Sequence, residues 1–179
     1  MELIEKQLRN TPSGHKKYLK RLSDYVKYLS ENGRILEAKY FFSEINKLKP
    51  NHIKTIILGY ELAIKTFDNE SVIFFDRALY DTEVDKEILL VMRMKYYYSV
   101  NDEKEFTQLV EHLLFGFKVK KITLELVGEL VINQNSYKPI SIRLRYLKDK
   151  SLLLNKQTEG AVRWIVLQKL VDTLAEAAK

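Results

Sequence analysis

An apolar pattern returns every 33 to 35 residues along this chain, and few folds accommodate such a spacing. It opens with Leu22, Val26, Leu29, Gly33, Ala38, Phe42, Ile45 and Pro50. It comes back as Leu58-Gly59, Leu62, Ser71, Phe75 and Ala78, and then through Leu90, Met94, Tyr97, Phe106, Val110 and Leu113. A fourth pass runs through Leu124, Val127-Gly128, Val131, Ile140, Leu144 and Leu147. A period of this length belongs to stacked two-helix units, none of which can bury its apolar face alone. Such stacks usually offer a surface to a partner and carry out no chemistry. The expectation is an all-α chain acting as a binding module.

Local signals place the helices. Tyr18, Leu19, Leu22, Tyr25, Val26 and Leu29 follow the i, i+3/i+4 rule and predict a helix over 15–31. Asn32-Gly33 supplies a left-handed stop. A second helix over 34–48 ends before Pro50, because the residue preceding proline is pushed out of helical geometry. Further pairs are predicted over 51–66 and 69–80, 83–100 and 102–115, and 120–134 and 138–153. Asp68-Asn69 and Asn101-Asp102 mark turns, and Asp102 with Glu105 reads as a box-like N-cap. Residues 1–14 form a leader, frayed or a short helix lying on the first pair. Residues 15–154 carry the repeats. Residues 155–179 form a last helix bearing Trp164, read as the cap of the stack.

Composition narrows the class. Gly (6) and Pro (3) are too scarce for the many tight turns of a β sandwich or barrel. The absence of cysteine excludes disulfide frameworks, cysteine nucleophiles and zinc ribbons. The first residues lack the apolar core of a signal peptide, and no apolar run reaches the length of a membrane span. A soluble cytoplasmic protein with no membrane partner is expected. The net charge of +6 is segmental: residues 1–50 carry 11 Lys+Arg against 6 Asp+Glu, residues 51–115 carry 7 against 12, and residues 116–179 carry 12 against 6. Basic ends flank an acidic middle. Solvated helix faces explain this, and so does a basic end that meets an acidic partner or nucleic acid.

The order of residues within the period resembles the tetratricopeptide repeat. With units starting at Leu19, His52, Glu87 and Lys121, Gly33 takes that family's turn position, Ala38 its small position, Phe42 its aromatic and Pro50 its terminal proline. Leu58-Gly59, Phe75 and Ala78 fall on the matching places of the second unit. The third and fourth are degenerate: Arg93-Met94 replaces the large-small pair, and Phe106 and Ile140 replace the small residue. The resemblance implies a right-handed superhelical stack of about four antiparallel helix pairs plus the C-terminal cap, with Phe42 and Phe75 as wedges between paired helices.

It also implies a concave groove lined by the first helix of each pair. Carried onto this chain, the lining positions are Lys20 and Lys27, then Ile53, Ile56 and Tyr60, then Val91, Lys95 and Tyr98, then Glu125 and Glu129. Tyrosines and lysines in a groove suit a peptide or helix of another protein, since aromatic anchors carry much hot-spot energy. The family's clamp for acidic C-termini does not carry over, because Ser23, Ile57, Ile88 and Met92 occupy most of its positions. A different candidate surface is the basic stretch Lys138, Arg143, Arg145 and Lys148, which could meet phosphates. Its reading is a nucleic-acid-associated protein. A third reading is an accessory helical domain of a larger enzyme, for example a bacterial surface-polysaccharide transferase.

Chemistry finds no foothold in the sequence. His15, His52 and His112 are isolated, and no metal-binding, triad or nucleotide-loop motif occurs. No cofactor and no metal is expected, and the oligomeric state is left open. Asp102, Glu103 and Glu105 cluster at a helix start, where they complement the helix dipole.

Overall fold

A computed structural model describes residues 2–113, together with 120, 122, 123, 126, 127 and 130. The described residues form seven α-helices and no strand: α1 (Glu2–Arg9), α2 (Tyr18–Glu31), α3 (Ile35–Leu48), α4 (Ile53–Lys65), α5 (Asn69–Tyr80), α6 (Lys86–Ser99) and α7 (Glu103–Glu111). The predicted helices between 15 and 115 are all present, within a few residues at each end. The predicted fourth pair, the capping helix and Trp164 lie outside the described residues, apart from isolated positions. Two compact units divide the chain, residues 1–92 and 93–179.

In the first unit α2 packs on α3, α4 packs on α5, and α3 and α2 both touch α4. The core begins at Leu22, Val26, Leu29 and Ala38, all fully buried, and continues through Ile45, Leu58 and Leu62. The leader is a helix after all. Ile4 and Leu8 of α1 lie against this core. Arg21 Nη1 donates to the Gln7 carbonyl at 3.0 Å and also to the Thr11 hydroxyl, fixing the α1–α2 connection on α2.

The α4–α5 pair closes around Gly59. A Cβ added at Gly59 would stand 2.6 Å from Phe42 Cζ and closer still to Phe75 Cζ. The two rings meet edge to face, 6.0 Å between centroids. Phe75 is buried and Phe42 half-buried. Glycine on α4 therefore admits aromatic rings from both α3 and α5 to a depth no other residue would permit.

One turn geometry recurs at intervals of 34 residues. Gly33 (φ 74°), Phe67 (φ 52°) and Asn101 (φ 56°) all adopt the left-handed conformation. After each, the next N–H donates back five residues: Arg34 to Leu29, Asp68 to Ala63 and Asp102 to Tyr97, at 2.9 to 3.0 Å. This is the Schellman closure of a helix C-terminus. The following helix is then capped by Asp68, which accepts from the Ser71 N–H, or by Asp102, which accepts from the Glu105 N–H. Arg34 instead forms a fork with Glu37. Burial keeps the same interval: Val26, Tyr60 and Met94 are buried, as are Ala38, Val72 and Phe106, and Ile45, Leu79 and Leu113.

Candidate functional site

The α2 sequence puts Lys20, Ser23, Lys27 and Ser30 on one stripe, since residues three and four apart share a helix face. Lys54, Ile57, Glu61 and Lys65 form the corresponding stripe on α4. Between the two helices lies a groove of about 550 Å³ lined by Leu19, Lys20, Ser23, Asp24, Lys27, Ile45, Ile57 and Leu58, with Lys16, Lys49, His52, Lys54 and Thr55 toward the start of α4. A smaller hollow of about 160 Å³ shares Lys27 and Leu58 and continues past Ser30, Glu31, Glu61, Leu62 and Lys65.

Ile45, Thr55 and Leu58 are buried, and Leu19 and Ile57 half-buried, so the floor is largely apolar. Lys16, Lys20, Lys27, Lys49 and Lys54 are exposed around it. None of the five is ion-paired among the described residues; the cross-helix pair nearby is Lys39 with Asp68 at 3.5 Å. His52 is committed locally, its Nδ1 accepting from the Lys54 N–H at 3.3 Å as the N-cap of α4.

Lys20 and Lys27, which the resemblance assigns to a concave groove, line the α2–α4 groove from its α2 side. Tyr60 does not. Its side chain is 1% exposed, and its hydroxyl donates to Asp76 Oδ1 at 2.9 Å. The cause is register. The resemblance places the start of the second unit at His52, 33 residues after Leu19, whereas the recurring turn gives an interval of 34. A slip of one residue is about 100° around a helix. It exchanges Tyr60, which belongs with buried Val26 and Met94, for Glu61 on the groove face. The corrected interval also pairs Lys20 with Lys54, a groove lysine that the 33-residue start hid.

In the second unit Lys95 and Tyr98 are half-buried, and the Tyr98 ring lies 5.7 Å from that of Phe106. Nearby, burial pushes the Tyr97 phenol above its ordinary value, and the negative charge of Glu105 adds to the effect. Glu129, Lys138, Arg143, Arg145 and Lys148 lie outside the described residues. Among the described residues no cluster of His, Asp and Glu is placed to hold a metal, and no helix is long and apolar enough to cross a membrane. Compared with known proteins, the chain matches no family model, no curated protein and no solved structure.

Proposed function

We propose that this chain is a non-catalytic adaptor, a cytoplasmic stack of tetratricopeptide-like helix pairs that receives a peptide segment or helix of a partner protein. The observation that carries the reading is the groove between α2 and α4, with an apolar floor of Leu19, Ile57 and Leu58 between two walls that bear lysines. Apolar pockets rimmed by polar groups are the ordinary setting for a bound peptide, in which a few anchors supply most of the affinity. The 34-residue recurrence of turn and burial supports the helix-pair stack.

A photo-crosslinking residue placed at Ile57 tests the reading, with a control at exposed Leu36 on α3. Crosslinks from Ile57 to one defined peptide segment, lost on competition with that peptide, are the expected result. Equal labelling from both positions, or crosslinks from Ile57 to nucleic acid alone, would overturn it.

A further inference from the structure

We infer that the α2–α4 groove selects an acidic peptide segment, engaged through several side-chain carboxylates along its length rather than through a chain terminus. This rests on the peptide-groove reading above and narrows the partner's chemistry.

Charge is the first argument. Lys16, Lys20, Lys27, Lys49 and Lys54 surround the groove; among the described residues Asp24 is the one carboxylate lining its larger part, and Glu31 and Glu61 line the smaller hollow beyond Lys27. None of the five lysines is held in an ion pair among the described residues, so each ammonium is available to an incoming anion. The N-terminal end of α4, which begins at Ile53, adds the partial positive charge of a helix start.

Distribution is the second. Lys16 precedes α2 by one short turn, and Lys27 stands near its far end. Eleven residues at the helical rise place them about 16 Å apart, the reach of about five extended residues. Lys49 and Lys54 line the same groove from the other side of the chain. Positive charge spread in this way is matched by carboxylates at several points of a ligand, whereas a single terminal carboxylate would meet only one or two lysines.

Side-chain type is the third, and it separates peptide from nucleic acid. Among the described residues no Phe, Tyr, Trp or Arg lines the groove. Lysines alone serve phosphates as well as carboxylates, but single-stranded nucleic acids are also held by aromatic or guanidinium planes on which bases stack, and the groove supplies no such plane. The apolar floor instead suits Leu, Ile or Val side chains set between acidic ones.

The test is fluorescence anisotropy on the full chain with four probes. These are a pool of ten-residue peptides randomised over Glu, Asp and Leu; the same pool with amidated C-termini; a pool in which Gln and Asn replace Glu and Asp; and a ten-nucleotide oligothymidylate. The acidic pool should bind saturably and the amidated pool equally well. Lys20→Glu/Lys54→Glu should weaken both by about tenfold or more, with an unchanged thermal midpoint, because exposed charges steer binding more than they stabilise the fold. Binding of the Gln/Asn pool at equal strength, lost in Ile57→Asp, would overturn the acidic selectivity and leave the peptide groove standing. Loss of binding on amidation would overturn the side-chain mode. Preferential binding of the oligothymidylate, or no binding of any probe, would overturn both readings.

Discussion

Gly59 shows how one missing side chain can organise a helix pair. Alanine there gains helix propensity, yet its Cβ would collide with the Phe42 and Phe75 rings. Overpacking prevails when the opposing groups are rigid rings already in contact. Gly59→Ala should therefore destabilise the chain by about 1–3 kcal/mol in denaturant melts. Phe42→Leu should relieve much of that loss, and a full, additive loss in the double variant would contradict the contact. Phe75→Ala should cost about 3 kcal/mol, and Phe42→Ala less, because only Phe75 is buried. At Tyr60 the useful change is to phenylalanine. It keeps the ring and removes the hydrogen bond to Asp76 Oδ1, so a loss of about 1 kcal/mol is expected with no change in the shape of the melt.

At the scale of elements, the three left-handed turns are chemically unequal. Gly33 adopts its positive φ without steric cost, Asn101 tolerates it, and Phe67 pays for it while the residue stays 64% exposed. Phe67→Gly should therefore stabilise the chain by about 1 kcal/mol, whereas Gly33→Ala should destabilise it by a similar amount. If both changes destabilise, the Phe67 ring has a packing role that its exposure conceals. Asp68, which caps α5, gives a pH signature. The Ser71 backbone N–H, followed by the Ser71 hydroxyl and Lys39, holds its carboxyl below the ordinary value. A depressed carboxyl stabilises the fold above the unfolded-state value near 4. That contribution is lost as pH falls through the lower folded-state value. Melts between pH 5 and 2 should show an acid-dependent loss that is smaller in Asp68→Asn, where the part due to Glu37 beside Arg34 remains. The helices themselves were legible in the sequence because apolar spacing, Asn-Gly, Lys-Pro and Asn-Asp signals coincide. The phase of the second pair was not. Leu58-Gly59 imitates the large-small pair one residue early, and a phenylalanine at a left-handed position gives no turn signal. One residue of phase separates a groove-facing Tyr60 from the buried one and brings Lys54 to the groove.

For the molecule as a whole, little of the candidate groove was readable: of its lining residues only Lys20 and Lys27 stand among the lining positions that the tetratricopeptide resemblance implies. Lys16, Lys49 and His52 come from the segments bordering helix ends, and only the packing of α2 against α4 brings them to one site. The leader contributes more than its sequence suggested. Deleting residues 1–13 removes Ile4 and Leu8 from the core and the partners of Arg21, and should cost about 2 kcal/mol of stability. A chain equally stable without them would show that α1 rests on the surface only.

Each of the first five helices touches its immediate neighbour in the chain, from the Arg21 clasp onward. Contacts so short in sequence separation cost little loop-closure entropy, and such topologies cross their folding barriers in microseconds to milliseconds. Synthesis adds residues far more slowly. The α1–α3 layer can therefore begin to form while α5 is still being made, but its apolar face closes, and the lysine-bearing wall of α2 gains its opposite wall, only when Leu58 and Leu62 of α4 arrive. In a fragment ending at Tyr80, which holds both helix pairs, amide protons at Leu22, Val26 and Leu29 should exchange more slowly than in one ending at Pro50.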